Sequence, residues 1–284
     1  MAGVEAMRKI QLGRESTAGT AVGATTVWRG KANGLEDGEK PVFVDENVGL
    51  LMKPTRAYTP FVEGKLEMPE VEATFEQLPH IFEAGVITDA PAQDGAGTGY
   101  IYEYVVPVTA TQLGSWAIKT YTLEAGDNQQ AEEMAYCFVS EFEINAKVKE
   151  AWKVKSTWMG RQVSTTTFTG SLSLPTVEEI LLQKTKLYID ATGGTIGTTL
   201  KSNTLLGFKL SMKGLVMPVF AGDGNLHFSF VKAVTPEIKL DVTFEHDGTA
   251  VAEKAFMKTR AVRLLRLLAQ GAALGTAGTT YTYK

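Results

Sequence analysis

The stretch "CFVSEFEINAKVKEAWKV", residues 137–154, alternates polar and apolar side chains one residue at a time. A period of two is typical of a β-strand with one face in water and the other in a core. If the pattern continues from Tyr136 to Lys155, it predicts a strand on the order of 60 Å long, at about 3.3 Å per residue. The polar face comprises Glu141, Glu143, Asn145, Lys147 and Lys149, and the apolar face comprises Phe142, Ile144, Ala146 and Val148.

Two other segments have the same alternation, and each is followed by a helical pattern. Glu70 and Glu72 face away from Phe75 in the first segment, and Glu237 and Asp241 face away from Leu240 and Phe244 in the second. The helices are predicted in "EQLPHIFEAG", which ends on Gly85, and in "GTAVAEKAFMKTR". The chain is therefore predicted to be mainly β with short flanking helices. The candidate core residues are Phe142, Ile144, Val148, Phe75, Leu240 and Phe244.

The chain also shows a coarse division along its length. Residues 1–40 are rich in Gly, Ala and Thr and lack a sustained period, which predicts an extended N-terminal arm. A β-domain is predicted over 41–160 and a second β-unit over 161–284. "EATFEQ" resembles "DVTFEH" and "SEFEINAK" resembles "LGFKLSMK", so a duplication into two tandem units and a single unit both stay open.

Composition narrows the function classes. Of the 284 residues, 44% are hydrophobic and 21% are charged, which is typical of a folded globular chain. No apolar run is long enough to predict a membrane span, and the one cysteine, Cys137, allows no internal disulfide. The net charge is −4 and no Lys/Arg block stands out, so tight binding to DNA is not expected.

The residues that could carry chemistry do not form a recognisable site. His80, His227 and His246 lack metal-ligand spacing, and the glycine motifs "GAGTG" and "GGTIG" lack the sequence context that phosphate binding requires. Paired carboxylates could serve a glycosidase, but here they alternate along wet strand faces beside lysines. We therefore predict no catalytic residue, no cofactor, no metal and no enzyme activity.

Six segments, in their order along the chain, resemble the major tail tube proteins of long-tailed (siphovirus-type) bacteriophages. The segments are "QLGRESTAGTAVGATTVWRG", "ATFEQLPHIFEAGV", "YTLEAGD", "AYCFVSEFEINA", "STWMGRQV" and "TAVAEKAFMKTRAVRLLRLLAQG". The resemblance implies an antiparallel β-sandwich or barrel of the tube type, with one short flanking helix per unit. It also implies six-fold rings, or three-fold pseudo-hexameric rings, stacked into a channel for DNA ejection.

The same resemblance implies partners, a location and a role for the charged residues. The partners would be further copies of the chain, other tail proteins and phage DNA in transit without specific binding, with no membrane. The location would be the virion tail, assembled in the host cytoplasm. The candidate lumen-facing residues are Glu141, Glu143, Asn145, Lys147, Lys149, Glu70, Glu72, Glu237 and Asp241.

Other β-rich modules remain as alternatives, namely a secretion-system tube component, another virion protein or a carbohydrate-binding domain.

Alternation also predicts how substitutions in the long strand behave. Ile144→Asp is expected to abolish folding, and Glu143→Lys is expected to leave folding intact while disturbing assembly or DNA passage.

Overall fold

The computed structural model describes residues 3–31, 33–49, 51, 56–94, 99–273 and 280–283. The predicted "GAGTG" loop lies largely outside them. The described chain is mainly β and its strand pairs are antiparallel, which confirms the predicted class. Short 3₁₀ turns occur at Glu5–Met7 and Leu182–Lys184.

The strands and helices follow in chain order. The strands are β1 Lys9–Arg14, β2 Thr26–Val27, β3 Glu36–Asp37, β4 Val42–Phe43, β5 Ala57–Tyr58, β6 Gly64–Glu72, β7 Ala92–Gln93, β8 Tyr100–Ile101, β9 Tyr121–Gly126, β10 Ala131–Lys147, β11 Lys153–Gly160, β12 Val163–Thr166, β13 Thr185–Ala191, β14 Leu200–Lys201, β15 Leu205–Lys213, β16 Val216–Val219, β17 Phe230–Ala233, β18 Glu237–Phe244, β19 Arg263–Ala273 and β20 Thr280–Tyr283. The helices are α1 Leu78–Gly85, α2 Ala110–Gly114 and α3 Gly248–Lys258.

Strand β10 is the centre of the main sheet, which has ten strands. Its first half pairs with β9 and β12, and its second half pairs with β11 and β15. The sheet continues through β9 to β1 and β2, through β11 to β6 and β3, and through β15 to β18. A separate four-stranded sheet has the order β14-β13-β19-β20.

The predicted strand from Tyr136 to Lys155 is corrected at both ends. β10 begins earlier, at Ala131, and ends at Lys147. A turn follows, in which the Glu150 amide donates to the Lys147 carbonyl at 3.1 Å, and β11 then returns along β10. Continued alternation could not reveal the reversal, because both arms of a hairpin have the same period of two.

The core lies on the apolar side of β10 and beneath helix α1. Phe142 and Ile144 are each 3% exposed, and Phe75 is also buried. Leu78 and Ile81 bury one face of α1, and Pro79 lies in its first turn, where proline is well tolerated. Gly85 is needed for close approach, because a Cβ there would lie 3.0 Å from Cβ of Val139 on β10.

Two predicted core residues are exposed in the chain. Val148 is 46% exposed because it lies in the turn after β10 rather than within the strand. Leu240 is 38% exposed because β18 is an edge strand and the chain leaves much of its apolar side uncovered. Phe244 on the same strand is half-buried.

The predicted N-terminal arm is corrected for residues 9–28. β1 lies inside the main sheet between β2 and β9, and its Ile10 and Leu12 are each 1% exposed. The loop after β1 is held by the buried carboxylate of Glu15, which accepts hydrogen bonds from the Gly19 amide at 2.7 Å and the Thr120 hydroxyl at 2.6 Å. Glycine and threonine content here indicates close packing of backbone, not an extended arm.

The main sheet crosses the predicted boundary between 41–160 and 161–284. β15 and β18 belong to the second segment, yet β15 pairs with β10 over seven residues, from Glu141 opposite Lys213 to Lys147 opposite Gly207. The division into two units stays a prediction. The two segments that resemble each other, in β10 and β15, lie side by side in one sheet.

Candidate functional site

The charged residues of five neighbouring strands meet on one face of the main sheet. The order β18-β15-β10-β11-β6 places Asp241, Lys209, Asn145, Lys153 and Glu72 across the sheet in one row. Residues paired across antiparallel strands point to the same side. We call this surface the charged face. Its members are Lys65, Glu67, Glu70, Glu72, Glu141, Glu143, Asn145, Lys147, Lys153, Lys155, Lys209, Lys213, Glu237, Lys239 and Asp241.

Glu143 lies at the centre of the charged face between two lysines. Its carboxylate is 3.3 Å from Nζ of Lys155 on β11 and 2.9 Å from Nζ of Lys209 on β15. Its side chain is only 14% exposed, whereas each lysine is about half exposed. Partial burial by itself raises the pKa of Glu143, but the bonds from both lysines outweigh it and leave this pKa below its ordinary value.

Further pairs extend from this centre along both directions of the sheet. The Glu141 carboxylate is 3.7 Å from Nζ of Lys213 and accepts a hydrogen bond from the Thr157 hydroxyl at 3.2 Å. On β18, Lys239 and Asp241 are paired at 3.0 Å. Asn145 and Glu70 are joined by a further hydrogen bond of 2.8 Å. Lys65 and Glu67 form an ion pair at the β6 edge.

Most of the predicted polar residues are therefore brought together, and one is not. Lys149 lies in the turn after β10 with a φ of 71°, away from the strand that was predicted to contain it. Sequence reasoning omitted the lysines that pair with Glu141 and Glu143. Their signal was the alternation in "KVKSTW" and "FKLSMK", but only the strand register identifies their partners.

The charge balance determines what the face can do. Lysines and carboxylates are equal in number and interspersed, so no continuous basic surface is available for phosphates. Affinity for nucleic acid depends on cations that displace condensed counterions, and here much of the lysine charge is matched by a neighbouring carboxylate. A face of this kind can lie beside DNA while binding it weakly.

Strand β18 and helix α3 each leave apolar side chains exposed. These residues are Ile238 and Leu240 on β18, Val251, Phe256 and Met257 on α3, and Val262 after α3. Helix α3 buries no residue. Its first turn is capped by the Asp247 side chain, which accepts from the Ala250 amide at 2.9 Å, and an ion pair joins Glu253 to Arg263 at 2.9 Å. A helix of eleven residues that buries none of its side chains gains little stability from packing.

A buried cluster beneath α1 contains the groups that most resemble a catalytic arrangement. Glu83 is 4% exposed and accepts from the Arg14 guanidinium, with Nε at 2.9 Å, and from the Tyr121 hydroxyl. Burial raises the pKa of Glu83, and bonds from His80, Tyr121 and Arg14 outweigh that effect and lower it. Burial likewise raises the pKa of Tyr121. The groups satisfy one another, so the cluster ties α1 to β1 and β9.

The other histidines do not extend this cluster. His227 Nδ1 lies 3.1 Å from the Phe228 carbonyl oxygen, and His246 is exposed in the turn before α3. Within the described ranges, no group of three or more His, Cys, Asp or Glu residues is placed to hold a metal ion. The same ranges contain no helix with the length and apolar character of a membrane span.

No protein-family model matches the chain, and no significantly similar curated protein is found.

Proposed function

We propose that this chain is a structural subunit of the tail tube of a long-tailed bacteriophage. The observation that carries the proposal is the charged face, a surface five strands wide whose side chains pair with one another rather than converge on a ligand. The ordered resemblance of six sequence segments supports the same assignment. In this function the charged face lines a channel, and copies of the chain form rings that stack in the virion tail.

The strand count favours six copies per ring over three. Antiparallel strands lie about 4.8 Å apart, so six copies of a five-stranded face give a circumference on the order of 140 Å and a diameter of about 45 Å. Three copies give a diameter of about 23 Å before inward side chains are counted, which leaves little room for duplex DNA. A three-fold ring would need two such faces per chain, but β15 and β18 already belong to the same face as β6.

The balance of charge on this face supports passage of DNA rather than tight binding of DNA. A basic channel wall would bind the DNA phosphates, and those contacts would have to break each time the DNA moves. Paired charges instead give a weak electrostatic potential that is uniform along the wall. The other partners in this proposal are tail proteins at the two ends of the tube. Assembly would occur in the host cytoplasm before the tail becomes part of the virion.

Electron microscopy of the purified full chain tests the proposal directly. We expect rings or hollow tubes by negative stain at high protein concentration, with six subunits per ring by native mass measurement. DNA binding at about 150 mM salt should be no tighter than non-specific, with a dissociation constant of roughly 10⁻⁴ M or weaker. A protein that stays monomeric at every concentration, without rings or tubes, would refute the assignment.

A matched pair of variants tests the role of the charged face. Glu237→Lys combined with Asp241→Lys turns one edge of the face basic, and Glu5→Lys combined with Glu103→Lys makes the same charge change at exposed positions outside it. If the face lines the channel, only the first variant retains short DNA duplexes in assembled rings, and the retention disappears at high salt. Equal retention by both variants would show that the face does not line the channel.

A further inference from the structure

Strand β18 has an open edge whose side-chain pattern complements itself. Among the described residues, β18 pairs with β15 on one side and with no strand on the other. The chain therefore presents a row of backbone donors and acceptors to its surroundings. Open edges of this kind pair readily with a strand from another molecule.

The order of residues along β18 determines which strand fits. From Glu237 to Thr243, charged or polar side chains alternate with Ile238, Leu240 and Val242. If a second β18 lies antiparallel with Leu240 opposite the Leu240 of the other copy, Lys239 faces Asp241 on both sides of the centre. Ile238 then faces Val242 on the apolar side and Glu237 faces Thr243, so no like charges are opposed.

Neighbouring registers do not match. Moving the centre to Lys239 places two lysines face to face and sets Glu237 against Asp241, and moving it to Asp241 places two aspartates together. A shift of the partner by one residue brings charged side chains against the apolar side. The registers centred on Ile238 and on Val242 also keep apolar residues opposite each other, but they overlap over only three and five residues of β18. The register centred on Leu240 overlaps over seven residues, 237–243, and is therefore the most favourable.

We propose that β18 is a twofold self-recognition strand, through which two copies of the chain pair antiparallel about Leu240. The partner is a second copy because the pattern is complementary to its own reverse. The contact is isologous and closes on itself, unlike the head-to-tail contact that a ring requires. It therefore does not rest on the proposed function. Because it uses the edge that would join neighbouring charged faces in a continuous ring, each β18 edge takes part either in the twofold pair or in a ring contact.

Charge exchange in the full chain tests the register. Lys239→Asp makes positions 239 and 241 both acidic, and Asp241→Lys makes them both basic, so each variant alone should dimerise on the order of tenfold more weakly than the parent in sedimentation velocity. A mixture of the two should form heterodimers with parent affinity, since each acidic residue then faces a lysine. The double variant Lys239→Asp/Asp241→Lys should also recover. Unchanged dimerisation of the single variants, or no recovery on mixing, would overturn the proposal.

Cysteine cross-linking provides a second, geometric readout. The two Leu240 Cα atoms would lie about 4.5–5.5 Å apart across an antiparallel pair, within disulfide range. Leu240→Cys should therefore form covalent dimers on mild oxidation. Ile238→Cys is the matched control, because its two copies would lie about 13 Å apart at about 3.3 Å per residue. The native Cys137 is buried and should not compete.

The outcomes separate this contact from ring formation. Covalent dimers with Leu240→Cys and none with Ile238→Cys support the twofold pair. Equal cross-linking of both variants indicates random collision and overturns it. Rings seen by microscopy for Lys239→Asp would show that ring formation does not need the pair, whereas cross-linked dimers without rings in the parent protein would refute only the tail-tube assignment.

Discussion

Reversing the charge at Glu143 tests how much the charged face contributes to stability. Glu143 accepts from lysines on both neighbouring strands, at 3.3 and 2.9 Å. Glu143→Lys removes both attractions and places three ammonium groups together. Alternation alone predicts that this change leaves folding intact. Because Glu143 is paired with two lysines, we expect the variant to fold with a lower free energy of unfolding.

The magnitude follows from the number of pairs and their exposure. A partly exposed ion pair contributes about 0.5 kcal/mol, and a like-charge pair in its place opposes folding by about as much. For two pairs, Glu143→Lys should lower the free energy of unfolding by about 2 kcal/mol. Glu143→Gln should lower it by about 1 kcal/mol, because it removes the attraction without adding repulsion.

Urea unfolding at low and high salt measures the effect, and Glu141→Lys serves as the control. Glu141 is 44% exposed and has one lysine at 3.7 Å, so its reversal should lower the free energy of unfolding by less than about 1 kcal/mol. In 1 M salt, where the Debye length is about 3 Å, the loss from Glu143→Lys should shrink to less than half. Equal losses for the two reversals, or a loss independent of salt, would refute the reasoning.

Three further predictions concern the core, the buried cluster and a close backbone contact. Ile144→Asp should prevent folding because Ile144 is 3% exposed, whereas Val148→Asp at a 46% exposed turn position should change stability by less than about 0.5 kcal/mol; circular dichroism distinguishes them. The folded-state pKa of Glu83 is lowered, so its contribution to stability is present above the unfolded pKa of about 4.3 and is lost as pH falls through the folded pKa. Glu83→Gln should therefore reduce the loss of stability on acidification from pH 7 to 3 in urea titrations, and identical pH profiles would contradict this. Gly160→Ala should lower the free energy of unfolding by about 1–3 kcal/mol, because the new Cβ would lie 2.5 Å from Cγ of Met134 on β10. Gly222→Ala is the control and should be neutral, because its new Cβ would meet nothing within 4 Å.

The sequence predicts the class of the fold and one face of each long strand, since both depend on local alternation. Glu141 and Glu143 point away from Phe142 and Ile144 because successive side chains in a strand alternate. The lysines that pair with those glutamates depend on register between strands up to about seventy residues apart, which a period of two does not encode. The helix α2 was missed because it is short, although its Thr109–Gln112 capping box was readable in the sequence.

The N-terminal segment shows a different limit of sequence reasoning. Its glycines and threonines predict an extended arm, yet β1 is an interior strand and Glu15 fixes the loop that follows. The buried Glu15 carboxylate is satisfied by hydroxyls and amides from three separate parts of the chain, including the Tyr136 amide at 2.8 Å. The sequence does not predict this site, because its donors lie far apart along the chain and no local pattern identifies them.

The length of β10 now has a structural explanation within the chain. Near Tyr136 its pairing with β9 shifts register, and Tyr136 itself takes a φ of 56°, in the left-handed region that side chains rarely adopt. Residues 131–134 pair with β9 and β12, Cys137 still pairs with β9, and residues from Phe138 onward pair with β11 and β15. One long strand therefore joins the ladder that contains β1 to the ladder that carries the charged face. Because both ladders share β10 and pack on one core, a change that disorders Tyr136 should lower the protection of backbone amides from hydrogen exchange in the strands of both ladders.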